Sequence, residues 1–159
     1  MATTLLTFLQ ETPLALWVSG SPSLLGYPTI LTLHTVGLAL LVGASVAVDL
    51  RLLGVARAMP LDALAPLFPI MWIGLAINTV SGVLLFMADA VRKAGQPVFL
   101  IKLACIAGAV MVVLMIRGRL MRALTTGTPA ASTHPRALAL ASLVLWAGAI
   151  AAGRLVAYL

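Results

Sequence analysis

Four uninterrupted apolar runs, each about as long as a lipid bilayer is thick, constrain this chain more than any other feature. They cover Tyr27 to Val48, Pro69 to Ala88, Pro97 to Ile116 and Ala137 to Leu159. A hydrocarbon core takes ~20 mainly apolar residues as helix. In lipid, helices satisfy every backbone polar group internally. Each run is punctuated as a helix should be. Pro28, Pro69, Pro97 and Pro135 lie at or just before the starts, where a missing N–H costs least. Asp49 and Arg51 close the first run, Asp89 the second and Arg117 the third.

Composition supports this reading. Of 159 residues, 62% are hydrophobic and only 9% charged. A soluble domain carries about 25% charged residues, so this chain is too poor in charge to cover a water-facing surface. The net charge of +6 would suit nucleic acid only if it formed a basic patch on a soluble face. Here the charges lie at the ends of apolar runs, so they report membrane topology, and no nucleic-acid partner is expected. The single cysteine, Cys105, excludes an intrachain disulfide framework and a cysteine zinc site. Met1 to Gln10 lacks the basic start of a cleavable signal peptide.

Residues 3–19 are apolar but short, and Gln10, Glu11 and Pro13 interrupt them. Leu5, Leu6, Phe8, Leu9, Leu16 and Trp17 suit an amphipathic segment lying in the interface. The expected fold is therefore all-α: a four-helix transmembrane bundle with an N-terminal interfacial amphipathic segment over 1–24. Residues 1–159 form one transmembrane domain. The stretch from Arg117 to Arg136 reads as a loop, with the third helix extended through Arg117–Arg122.

Loop charges orient the bundle. The loops after spans one and three hold Arg51, Arg57, Arg117, Arg119, Arg122 and Arg136, whereas the loop after span two holds only Arg92 and Lys93. This places the arginine-rich loops in the cytoplasm and both termini outside a bacterial inner membrane.

Ionisable groups inside a span call for an explanation. His34 lies seven residues into span one, roughly 10 Å deep at 1.5 Å per residue. Lys102 lies five residues after Pro97, and Arg154 five residues before Leu159. With Asp89 at the end of span two, these groups share one outer-leaflet layer on four different helices. Lys102 and Arg154 are long enough to snorkel to the headgroups. Asp89 reads as a helix end or an ion-pair partner for one of them. His34 is too short to snorkel. It is either a hydrogen-bonded interior side chain or a metal ligand, a role neutral imidazole fills readily.

Gly37 shares the face of His34 and either leaves room for something flat or marks close helix packing. Ala147, Gly148, Ala151, Ala152 and Gly153 fit the packing reading, as do Gly43 and Gly108. Asn78, Thr79 and Ser81 lie mid-span and read as interhelical hydrogen-bonding groups. His134, beside Ser132, Thr133 and Pro135, reads as a cap or loop residue on the opposite side from His34. The seven methionines are scattered and read as core filling rather than a copper site. No nucleophile–base pair or phosphate-cradling loop is visible.

The run Leu33-His34-Thr35-Val36-Gly37-Leu38-Ala39-Leu40-Leu41-Val42-Gly43, followed by Asp49-Leu50-Arg51-Leu52-Leu53-Gly54, resembles a family of small bacterial membrane proteins of unknown function. Ser81-Gly82-Val83-Leu84-Leu85-Phe86 and Phe99-Leu100-Ile101-Lys102 add to the resemblance. That family is more distantly similar to the superfamily of copper-resistance protein D and the haem-dependent protoporphyrinogen oxidase. The resemblance implies haem b, with His34 as an axial ligand and Lys102 as a functional lysine. The chain departs from the oxidase in lacking further histidines at its helix ends, which argues against porphyrinogen oxidation. Its poor supply of His and Met argues against copper transport.

The expectation is a haem b-binding membrane protein acting in electron transfer or redox chemistry near the outer leaflet. His34 would ligate the iron and Gly37 admit the macrocycle. Lys102 and Arg154 would pair with the propionates. Met87, water or another protomer would take the second axial position. A redox protein or quinone would be its partner, and a bundle this small could form homo-oligomers. Two alternatives stand beside this: a small transporter or metal-handling protein using the same layer, and a cofactor-free scaffold or accessory subunit.

Overall fold

The computed structural model describes residues 2–20, 22–55, 57–126, 135–156 and 158. These form seven α-helices: α1 (Ala2–Gln10), α2 (Pro13–Gly20), α3 (Tyr27–Leu53), α4 (Leu67–Met87), α5 (Ala90–Ala94), α6 (Pro97–Thr126) and α7 (Pro135–Leu155). There is no strand among the described residues. A 3-10 turn, Asp62–Leu64, leads into α4. The four apolar helices α3, α4, α6 and α7 are long and apolar enough to cross a membrane. The expected all-α architecture with four such helices is therefore present.

Several helix boundaries differ from expectation, three of them with consequences for the site. The helix α3 does not stop at Val48 but runs on to Leu53. Its true stop is Gly54, at φ 93°, a left-handed conformation that glycine adopts without strain. The Gly54 N–H donates to the Arg51 carbonyl at 3.1 Å and the Val55 N–H to the Leu50 carbonyl at 3.0 Å, a Schellman closure. Asp49, read as a terminator, is therefore inside the helix. The helix α6 continues through Arg117–Arg122 as expected and then on to Thr126. The helix α7 ends at Leu155, which puts Arg154 in its last turn. There the partial negative charge of the helix end favours a cation.

Packing is uneven around the bundle. The helix α3 lies along α4, α6 lies along α7, and α3 joins the two pairs through α7. The helices α4 and α6 are not close neighbours along their backbones. Their side chains meet in a shared core of Leu41, Val48, Phe68, Met71, Val113, Ile116, Leu120 and Trp146. This core occupies the half of the bundle toward Asp49. At the other end the rings of Phe86 and Phe99 stack at 5.2 Å, tying the end of α4 to the start of α6.

The N-terminal segment forms two short helices rather than one. The Thr12 hydroxyl accepts from the Ala15 N–H at 3.3 Å, capping α2 just ahead of Pro13. Ala15 and Val18 are fully buried, so α2 is packed onto α3 and α4 as well as being apolar on its outer side. The helix α1 rests on α5, where the Val91 N–H donates to the Gln10 side-chain carbonyl at 3.2 Å. Leu5, Phe8, Leu16 and Trp17 are exposed, as an interfacial surface requires.

Candidate functional site

The site begins with a close approach of two backbones. A Cβ on Gly37 would stand 2.8 Å from the Asn78 nitrogen and 3.0 Å from the Gly74 oxygen. A Cβ on Gly74 would stand 2.6 Å from the Leu41 nitrogen. The two glycines let α3 and α4 touch, as small residues do in lipid. Gly37 therefore makes no slot for a flat ligand. The space beside it is filled by the α4 backbone.

This contact brings His34 onto α4. Its Nδ1 lies 3.1 Å from the Asn78 backbone oxygen and 3.0 Å from Ser81 Oγ. A carbonyl can only accept, so Nδ1 carries the proton. The Ser81 hydroxyl donates to the Ile77 carbonyl at 2.6 Å, which leaves its lone pairs to accept from Nδ1 as well. In return the Asn78 side-chain amide donates to the His34 carbonyl at 2.9 Å. Gly82 makes room for the ring: a Cβ there would lie 3.2 Å from His34 Cε1. The imidazole is thus held in one tautomer, with the Nε2 lone pair uncommitted among the described residues. Of the three mid-span polar residues, Asn78 and Ser81 bridge helices as expected, and Thr79 is exposed.

Lys102 stands on α6 and is half-buried. Its stem lies against α7, where a Cβ on Gly153 would be 3.6 Å from Lys102 Cε. Close by on the same pair of helices, a Cβ on Gly148 would be 3.2 Å from Cys105 Sγ. His34 and Cys105 are thus each given room by a glycine on the neighbouring helix. The charges of Lys102 and Lys93 are both felt at the His34 ring. The structure therefore brings His34 and Lys102 into one neighbourhood and adds Lys93, which loop counting had treated only as a topology signal.

Lys93 is fixed by donating from Nζ to the Leu85 carbonyl at the end of α4. Burial pushes its ammonium below the ordinary lysine range, opposed by the nearby Asp89 carboxylate. Asp89 itself is taken by Arg92 at 2.6 Å, not by Lys102 or Arg154. That hydrogen bond and the Asp89 charge raise the Arg92 guanidinium further. Arg154 is exposed in the last turn of α7 and closes no ion pair with another side chain among the described residues. It stands at the rim. His134 lies outside the described residues.

An apolar crevice of about 360 Å³ opens beside this site between α3 and α4. Ile30, Leu33, Ile77, Val80 and Leu84 line it, with Ser81 at its polar edge. No group of three or more His, Cys, Asp or Glu side chains suited to a metal ion occurs among the described residues.

Sequence reasoning missed Asp49. It is 1% exposed, among the most deeply buried side chains described. The available signal was its spacing from Ser45, four residues earlier on the same helical face.

A family model described as "Family of unknown function (DUF6644)" matches residues 26–159, and the chain belongs to that family. No curated protein matches the chain, and no solved structure does.

Proposed function

We propose that this member of the DUF6644 family is a membrane haem b protein, working in electron transfer near the bilayer face at which His34 stands. One observation carries the reading: the His34 ring gives its Nδ1 proton to α4 and keeps the Nε2 lone pair free. Metal-ligating histidines are held in this way, with the other ring nitrogen donating to a carbonyl or similar acceptor.

The surrounding residues fit a haem in part. His34 would hold the iron through Nε2, and Lys102 would neutralise a propionate, an anion that needs a cation at that depth. Lys93 adds to the positive field, and Arg154 would serve only from the rim. Gly37 belongs to helix packing. Water, Met87 or a residue of a second protomer would supply any further ligand. When bound, haem would supply one-electron chemistry. The protein's own contribution is to fix the imidazole tautomer, supply the cations and surround the site with apolar walls. On this reading the chain lies in a bacterial cytoplasmic membrane, with its arginine-rich loops inside and the His34 end outside.

The test is an absorption spectrum of the protein purified from haem-replete cells. A Soret band is expected, and His34→Ala should lose it while keeping its helical circular dichroism. A colourless wild-type protein overturns the proposal and favours a cofactor-free scaffold. A multi-ligand metal site is not favoured, because His34 has no companion His, Cys, Asp or Glu cluster among the described residues.

A further inference from the structure

At the other end of α3, away from His34, a second polar cluster is buried between α3 and α7. Ser45 and Asp49 lie four residues apart on α3, and Ser142 and Trp146 four residues apart on α7. Each pair therefore shares a helical face. The Trp146 indole N–H donates to Ser45 Oγ at 2.9 Å, and the two serine hydroxyls lie 3.4 Å apart. Asp49 is 1%, Ser45 1%, Ser142 0% and Trp146 2% exposed.

The carboxyl of Asp49 is the anomaly. Both of its oxygens are buried, and neither closes a hydrogen bond among the described residues. The hydroxyls of Ser142 and Ser45 face it without completing that geometry, and no charged side chain is among the groups that act on it. Arg51, the nearest cation in sequence, is turned away and donates to the Met59 carbonyl. An ionised carboxylate left alone in a dry interior costs so much free energy that such groups take up a proton instead. Packing alone does not account for the residue, since an apolar side chain of similar size would fill the space without that cost.

We propose that Asp49 is a proton-binding site: it stands in the folded protein as a neutral carboxylic acid and exchanges its proton through the α3–α7 seam. Ser142 and Ser45 are the groups that receive the carboxylate when the proton leaves, each rotating its O–H toward it. Releasing the proton leaves one negative charge between the helices, so the site binds one proton per chain. The proposal does not depend on whether His34 carries haem.

The full-length protein in lipid nanodiscs would be treated with the hydrophobic reagent dicyclohexylcarbodiimide, which adds to protonated carboxyl groups in apolar surroundings. Peptide mass mapping would locate the adduct. In parallel, infrared spectra of protein carrying isotope-labelled aspartate would be followed with pH. The expected result is a deuterium-sensitive carbonyl band of a protonated carboxylic acid at neutral pH, absent in Asp49→Asn and lost as pH rises. Carbodiimide labelling of Asp49 should decline over the same range, unaffected by sodium. Ser142→Ala, which keeps Asp49, should move the titration to higher pH, because one group that receives the carboxylate is gone. A carboxylate band for Asp49 at neutral pH would overturn the proposal. Protection by sodium would also overturn it and point to a metal cation site. A titration unmoved by Ser142→Ala would refute the role given to the seam.

Discussion

The close approach at Gly37 can be tested by a single methyl group. In Gly37→Ala the new Cβ would stand 2.8 Å from the Asn78 nitrogen, 2.9 Å from Ile77 Cγ2 and 3.0 Å from the Gly74 oxygen. Two of these atoms are backbone, so the contact is relieved only by moving α3 away from α4. Overpacking of this kind costs about 1–3 kcal/mol. The shift also strains the Nδ1 donation from His34 and the Asn78 amide donation to the His34 carbonyl. At ~0.6 kcal/mol for an interhelical hydrogen bond in a membrane, the two together add about 1 kcal/mol. Alanine is the better helix former by up to ~1 kcal/mol. The net expectation is a loss of about 1–3 kcal/mol once that gain is set against the two costs.

Gly43 provides the control. It lies on the same helix, and a Cβ there would meet nothing within 4 Å. Gly43→Ala should therefore be neutral or stabilising. Reversible unfolding in mixed micelles, followed by helical circular dichroism, measures both. Gly74→Ala should resemble Gly37→Ala, since its Cβ would lie 2.8 Å from the Gly37 oxygen. The double substitution should cost less than the sum of the two, because once the helices have parted the second methyl finds room. If Gly37→Ala is as stable as Gly43→Ala, the two backbones do not touch, and the anchoring of His34 to α4 falls with them.

Further outcomes follow from other contacts. Trp146→Phe removes the donor to Ser45 Oγ from a fully buried pair and should cost about 1 kcal/mol, read by the same unfolding assay. Lys93 has its proton affinity lowered by burial in the folded protein. The unfolded chain therefore holds that proton more tightly, and stability should rise with pH on approach to the ordinary lysine value of about 10.4. Above that value the gain levels off, and Lys93→Met should reduce the slope. Arg92→Gln breaks an exposed pair three residues apart and should leave the unfolding midpoint where it was.

The four long helices were legible because lipid imposes a length on apolar runs, and that length does not depend on neighbours. The ends were less legible. Asp49 was read as a stop because it is charged, yet α3 passes through it, and α6 runs past the expected Arg122 to Thr126. The actual stop of α3 was written in Gly54, whose left-handed conformation no hydropathy count detects. At the site, rise per residue put His34 and Lys102 at one level of the bundle, and the charge of Lys102 acts on the His34 ring. Which face each side chain takes depends on helix rotation, and rotation is set by packing. Gly37 could not be assigned to packing until Gly74 was seen opposite it. Asp49 was missed for the same reason, since only the rotation of α3 against α7 shows that its carboxyl is enclosed. Arg154 was placed too deep because α7 ends at Leu155.

The shared core toward Asp49 gives the bundle the mechanics of a pair of tongs. One arm is α3 with α4, clasped by the two glycines and carrying the imidazole. The other is α6 with α7, carrying Lys102 and Cys105. Near the dense core the arms are riveted together, whereas toward His34 their cross-ties are the Phe86–Phe99 stack and the short α5 link. A small rotation about the rivet therefore becomes a larger change in the gap between imidazole and ammonium. At the far end of the molecule the cluster of Asp49, Ser45, Ser142 and Trp146 sits across the seam between the arms, so substitutions there would be felt as changes in how the two arms are set.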